Sequence, residues 1–385
     1  MVVDYLSPVS ESLYNEIEQL HSQSIGKLIK IHSITNGLPD MNHAKLAIIG
    51  VQEGRFAVNN ESTGKGLEVI RKELYQLYQG NWTNSVIDIG NIKEGAAVSD
   101  TYFALIEVLR YLLKRNIIPI IIGGEHDLTY ANYRAYDLLE QMVNVTIIDN
   151  KFDLGVISDK INSQSYLSKI IMEKPNNLFN YSNIGYQTYF VAQDEIDLLD
   201  SMYFDSIRLG EAKKIENVEP LLRDADIVSI DISAIRQSEA PANQNATPNG
   251  FFGDEICAVA RYSGLSDKVS SFGIYEYNPI YDKNNQTAQL IAQMIWYFIE
   301  GVNFRSNDYP FGSKENYQKY IVPIADEDLI FYKSIKSGRW WFEINIKENN
   351  NIKRKSLIPC TYQEYVNATN QEIPDRWYKT IRKII

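Results

Sequence analysis

Short, mostly apolar runs separated by amphipathic helical patterns carry the first 300 or so residues. Runs at 45–51, 85–90, 117–122, 143–149, 183–186, 225–231 and 269–275 are strand-length and do not alternate with polar residues, as expected of strands covered on both faces. The stretches between them read as helices. Over 101–115, Phe103, Ile106, Leu109, Leu112 and Leu113 form one stripe behind a predicted Asp100 cap. A further helix is predicted over 11–28. This alternation predicts an α/β protein with a mostly parallel sheet.

Beyond about residue 302 the rhythm changes. Residues 303–323 are rich in Asn, Tyr, Gly and Ser, and then L-I-F-Y-K-S-I and R-W-W-F-E-I-N-I flank K-S-G, which reads as a β-hairpin. A polar insert, K-E-N-N-N-I-K-R-K, precedes a helical tail over 362–385. The expected division is an N-terminal helical extension (1–40), an α/β domain (41–302) and a small α+β appendage (303–385). Trp340, Trp341, Trp377, Tyr362, Tyr365 and Tyr378 in the appendage suit either a private core or a protein-partner surface.

Composition narrows the function classes. With 385 residues and 44% hydrophobic content the chain can bury a substantial core. Its 49 acidic against 38 basic residues, a net charge of −11, lack the basic footprint of a nucleic-acid binder. No basic and apolar leader and no run of about 18 apolar residues occurs, so no membrane span and a cytoplasmic location are expected. Cys257 and Cys360 are too few for a disulfide framework and are expected to be buried free thiols.

Three predicted strands end in polar clusters, where working groups gather in parallel α/β sheets. I-I-I-G-G-E-H-D places His126 after a double glycine, V-T-I-I-D-N-K-F-D brings Asp149 and Asp153 with Lys151 between them, and V-S-I-D-I-S-A-I-R ends on Asp231. One imidazole and three carboxylates suit a divalent cation such as Mn²⁺. The same groups equally suit a satisfied buried ion network in which Lys151 pairs with Asp149, Asp153 or Asp231.

As an ordered set, G-G-E-H, D-N-K-F-D and S-I-D-I-S followed by A-P resemble the signature regions of the ureohydrolases: arginases, agmatinases and formimidoylglutamases. A-T-P-N-G-F-F-G-D-E, I-Y-E-Y-N-P-I-Y-D with Thr287, and Gly54-Arg55 through Ile70-Arg71 extend the likeness over about residues 40–302. The resemblance implies a three-layer α/β/α sandwich around an eight-stranded, mostly parallel sheet. It also implies that His126, Asp149, Asp153 and Asp231 hold one of two manganese ions, that Asp149 and Asp231 bridge both, and that Glu276 orients a guanidino or formimino group. The ligands unique to the second ion are replaced by Lys151 and Ser233, and Arg236 stands where an aspartate is implied. The proton-shuttle histidine implied after the second motif has no counterpart in I-N-S-Q-S-Y-L-S-K-I.

A lysine beside bridging carboxylates would repel a second cation, so at most one Mn²⁺ is expected, with Lys151 standing in for the other charge. Two functions follow. The favoured one is a noncatalytic family member acting in binding or assembly, homo-oligomerisation included. The other is a hydrolase of a linear amidine or guanidine C–N bond using one ion, with Asp153 orienting the attacking water, Lys151 stabilising charge and Glu276 holding the substrate. Specificity is expected in the loops at 157–168 and 243–250.

Overall fold

The computed structural model describes residues 2–139, 141–156, 160–308, 314–324, 327–348 and 351–384. Eight parallel strands make the body of one sheet: β1 (Leu46–Val51), β2 (Val86–Ile92), β3 (Ile118–Ile122), β4 (Val143–Ile148), β5 (Leu178–Tyr186), β6 (Asp205–Arg208), β7 (Ile227–Asp231) and β8 (Ser271–Tyr275). They run in the order β2-β1-β3-β8-β7-β4-β5-β6. The four central strands, β3, β8, β7 and β4, are the ones whose ends carry the candidate site. Leu6–Ser7 pairs antiparallel, and Lys30–Ile31 parallel, with β2.

The helices are α1 (Leu67–Gln76), α2 (Val98–Leu113), α3 (Leu128–Arg134), α4 (Tyr166–Met172), α5 (Gln193–Ser201), α6 (Ile215–Asp224), α7 (Gly253–Leu265) and α8 (Gln286–Asn303). Ile70, Leu222, Ile256 and Ile295 bring α1, α6, α7 and α8 into one apolar layer, while Leu105, Leu128, Tyr166 and Leu199 bring α2 to α5 into the other. The sheet between them is buried on both faces, which is why its central strands read as mostly apolar runs.

Several local expectations change. The helix expected over 11–28 is two pieces, Glu11–Ile17 and Ile25–Leu28. In α2 the buried face is Val98, Thr101, Ala104, Leu105, Val108, Leu109 and Leu112. Phe103, expected in the stripe, is 55% exposed and meets Tyr5 edge-on at 6.2 Å. Asp100 lies inside the first turn, accepting a hydrogen bond from Ala97 N at 2.8 Å, rather than at the cap. Strand β5 starts five residues before the expected 183, and β6 was not expected at all.

The C-terminal segment forms an antiparallel sheet, β9 (Tyr317–Ile324), β10 (Glu327–Ser334), β11 (Trp340–Glu348) and β12 (Asn351–Cys360), followed by α9 (Tyr362–Thr369) and α10 (Asp375–Ile384). The K-S-G hairpin joins β10 to β11 as expected, and the polar insert lies in the β11–β12 hairpin, with 349–350 outside the described residues. Trp340, Phe342 and Ile358 pack against Tyr365 and Trp377. On the other face Trp341 receives the Arg223 guanidinium of α6, 4.5 Å from its ring, while Arg223 donates to Cys360 O at 3.0 Å. Lys379 of α10 reaches Asp205 of β6 at 3.7 Å. Both sheet tryptophans are therefore spent on internal packing, whereas Tyr362 and Tyr378 stay exposed. Asp205 opens β6, and Asp224, which Arg376 of α10 approaches at 3.9 Å, lies just before β7, so the appendage docks at the amino ends of the strands, opposite the candidate site. Among the described residues no helix is long and apolar enough to cross a membrane.

Candidate metal centre

His126 follows β3, Asp149 and Asp153 follow β4, Asp231 ends β7, and Glu276 follows β8. The double glycine makes the first placement feasible: a Cβ on Gly124 would lie 1.5 Å from Glu53 O. Only glycine lets the loop after β1 close so tightly over the end of β3. Glu125 N then donates to Glu53 O at 3.1 Å, fixing the next residue, His126.

The sheet brings all four proposed ligands together. His126 Nδ1 lies 3.5, 3.3 and 3.6 Å from Oδ2 of Asp149, Asp153 and Asp231. Atoms bound about 2.0–2.6 Å from one cation sit about 3–4 Å from each other; the ligand atoms of His126, Asp149 and Asp153 all lie within 4.8 Å of one another, and Asp231 joins this group through its approach to His126. The far nitrogen, Nε2, is 3.0 Å from Ser229 Oγ. A hydrogen bond donated there leaves the Nδ1 lone pair facing the carboxylates, the arrangement in which a ring N–H orients a metal-binding imidazole. Asp149 Oδ2 and both oxygens of Asp153 are buried without a hydrogen bond. A cation among them would satisfy all three, so the donor set fits one divalent ion.

The electrostatics point the same way. Burial first, and then the Asp149 charge, pushes the Asp153 carboxyl up to about 8 and that of Asp231 up to about 6. Burial and Asp231 push Glu276 up to about 8. Asp149 is held below its ordinary value because His126 and Lys151 outweigh the cost of burying it. Burial opposes the His126 imidazolium, yet Asp149, Asp153 and Asp231 hold its pKa well above the ordinary value. A cluster in which most carboxyls are pushed up is short of positive charge.

Lys151 is mostly buried, and burial lowers while Asp153, Asp149 and Asp231 raise its pKa, with a net rise. Among the described residues its ammonium forms no ion pair within 4.0 Å. The alternative in which Lys151 pairs directly with an aspartate is not the arrangement found: the group in contact with the carboxylates is the His126 ring, and Lys151 acts from further away. Ser233 takes the other side of the cluster. Its N donates to Asp231 Oδ1 at 2.6 Å, its Oγ to Asp149 Oδ1 at 3.5 Å, and Lys151 N is 3.3 Å from that same Oδ1. Arg236 stands outside the cluster, stacked 3.4 Å from the Phe252 ring centroid.

Glu276 is closed from within. Oε1 accepts from His126 N at 2.9 Å, and Oε2 from Asn60 Nδ2 at 2.8 Å. Asn60 is fully buried, and its Oδ1 accepts from Gln244 N and Asn278 Nδ2 at 3.2 and 3.1 Å. Asp153 (φ +54°) and Glu276 (φ +71°) both occupy the left-handed region, which costs a non-glycine residue about 1–3 kcal/mol and persists where surroundings over-determine it. Sequence reasoning missed Asn60, Ser229 and Tyr166, whose OH lies 3.2 Å from His126 Nε2. Ser229 had a signal: two residues before Asp231 on one strand, it shares that face. Residues 157–159 of the loop expected to set specificity lie outside the described residues.

The arginase-family model matches residues 44–300. Formimidoylglutamase of Staphylococcus aureus strain MSSA476 is 23% identical over 298 residues, 74% of this chain and 93% of the relative. Among solved structures, Trypanosoma cruzi formiminoglutamase with Mn²⁺ aligns with a TM-score of 0.65 at 17% identity, over 73% of this chain and 99% of that one. Agmatine ureohydrolase of Thermoplasma volcanium aligns at 0.60 and 20%, over 74% and 97%. With the matched segment spanning well over half of the chain and containing every strand that presents His126, the three aspartates and Glu276, this protein belongs to the arginase family.

Proposed function

We propose that this arginase-family protein holds a single divalent cation and acts by binding or assembly rather than by hydrolysing linear amidines. The carrying observation is that Oδ1 of Asp149 and Oδ1 of Asp231, on the two residues expected to bridge a pair of ions, are engaged by Ser233 and the Lys151 backbone. His126, Asp149, Asp153 and Asp231 would hold the ion. Manganese is the ion proposed, since one imidazole with three carboxylates suits it and the T. cruzi relative's structure carries it. Such an ion would supply Lewis acidity and a lowered pKa for water.

The residues of this chain supply less than hydrolysis needs. Asn60 already occupies the Glu276 carboxylate with an –NH₂ group, the kind of donor a formimino or guanidino ligand would bring. Two of the other three histidines are engaged elsewhere: the His32 ring bonds Ile89 O at 3.0 Å, and His21 packs on Tyr78. The division at 1–40, 41–302 and 303–385 belongs to the same proposal, with the appendage, through its exposed Tyr362 and Tyr378, as the assembly element.

A second reading, one-ion hydrolysis with Asp153 and Lys151 at the reacting water and Glu276 on the substrate, is favoured by Lys151, whose raised pKa reflects the nearby Asp153 and Asp149 charges acting against burial. The deciding experiment incubates Mn²⁺-loaded protein with formiminoglutamate, agmatine, arginine and guanidinobutyrate. No product above the buffer control is expected; Mn²⁺-dependent turnover of any of them overturns the noncatalytic reading.

A further inference from the structure

We propose a second binding site, for a small phosphate-type oxyanion, in the cavity outside the carboxyl ends of β5 and β6. The cavity holds about 180 Å³ and is lined in part by Tyr186, Gln187, Arg208, Lys213, Arg236 and Asn249. Water occupies about 30 Å³ per molecule in the liquid, so the space suits a phosphate group with a short organic tail or a few waters. Crevices at the carboxyl ends of parallel strands are where such sheets bind ligands.

Three cations converge there in a chain whose net charge is −11. Lys213 is neutralised by Glu255 at 3.0 Å, and Glu255 is itself fixed by accepting from Phe252 N at 2.8 Å. Arg208 and Arg236 form no ion pair among the described residues. Asp200 and Glu211 reach the cavity only at a distance, through their effect on Tyr186. The Arg236 guanidinium lies 3.4 Å, and the Lys213 ammonium 4.6 Å, from the centroid of the same Phe252 ring. Arg236 Nε is buried without a partner. The Arg208 guanidinium, exposed, and the Arg236 guanidinium, half-buried, thus line one cavity without an ionic partner, and an anion between them would supply one.

The arrangement is held in advance. Arg236 N donates to Phe251 O at 3.2 Å and Phe251 N to Ala234 O at 2.9 Å. Gly250 packs so closely that a Cβ there would lie 2.4 Å from Arg236 N. Stacking on Phe252 fixes the guanidinium plane and leaves N–H groups at its edge, and a planar fork of donors matches phosphate oxygens. Arg236 also stands where the ureohydrolase resemblance implies an aspartate, so this charge departs from the pattern that the resemblance implies. None of the proposed ion's ligands lines the cavity, and the site does not depend on whether the metal centre is catalytic.

The test is calorimetric titration of the full chain with inorganic phosphate at constant ionic strength, with acetate as control, in wild type, Arg208→Gln and Arg236→Gln. Saturable one-to-one phosphate binding is expected, weakened about tenfold or more in each variant, with unchanged circular dichroism and unchanged Mn²⁺ uptake. Absence of saturation up to about 10 mM phosphate, or equal affinity in wild type and both variants, overturns the site. Acetate binding as tightly as phosphate overturns its assignment to phosphate.

Discussion

Asp153→Asn should make the metal-free protein more stable while removing its response to manganese. The ligand atoms of His126, Asp149 and Asp153 lie within 4.8 Å of one another. Two unit negative charges at that separation repel by about 3 kcal/mol at an effective dielectric constant of about 20. Burial and that repulsion carry the Asp153 carboxyl from its ordinary 3.8 to about 8. Between those values the folded state keeps a proton that the unfolded state gives up, so apo stability falls as pH rises through this window. At pH 7 the cost is bounded by about 4 kcal/mol, and coupling to His126 and Asp149 reduces it. Asparagine carries no charge to neutralise, so a gain of about 1–3 kcal/mol and a flatter pH profile between pH 4 and about 8 are expected. In wild type, manganese at about 100 times its Kd should add about 2.7 kcal/mol; in the variant it should add nothing. Urea unfolding of both proteins across pH, with and without Mn²⁺, reads both effects. An apo variant less stable than wild type at pH 7, or one that Mn²⁺ still stabilises, would mean that Asp153 is neither a source of repulsion in the cluster nor a ligand.

Three further outcomes are expected. Lys151→His combined with Ser233→Asp removes a cation and restores two donors, and should raise manganese uptake from one to two equivalents by elemental analysis. Unchanged uptake would mean that more than these residues blocks the second ion. Asn60→Ala strips Glu276 Oε2 of its donor, which should cost about 1.5–3 kcal/mol and be rescued by millimolar guanidinium in the variant alone, read as a melting shift. Burial brings Lys383 in α10 down from 10.5 to about 8, so its contribution to docking is present above pH 10.5 and lost as pH falls through about 8; Lys383→Met should stabilise the protein at pH 7, by at most about 3 kcal/mol.

Legibility in the sequence followed burial. The central strands β3, β8, β7 and β4 are covered on both faces, so each announces itself as an apolar run ending in a polar cluster, and the ordered clusters carried the family resemblance. Edge strand β6, D-S-I-R, is half-exposed and has no such run. The start of β5 is hidden by polar residues that its neighbours satisfy: Asn180 Nδ2 bonds Asp205 Oδ2 at 3.0 Å and Ser182 Oγ at 3.2 Å. The α2 stripe differs from the expected one because helical spacing allows neighbouring faces, and Phe103 turns outward, where it meets Tyr5 edge-on. Site residues within motifs were legible; their reach was not. Whether Lys151 touches a carboxylate depends on its rotamer, and the Asn60–Glu276 contact joins residues 216 positions apart.

How many cations the centre takes decides between a single ion and a pair. Protein purified with added Mn²⁺, freed of loosely bound metal and measured by elemental analysis, should carry one equivalent per chain, lost on His126→Ala. Two equivalents would contradict the role given to Lys151 and Ser233, and none would contradict the fit of His126, Asp149, Asp153 and Asp231 to an ion.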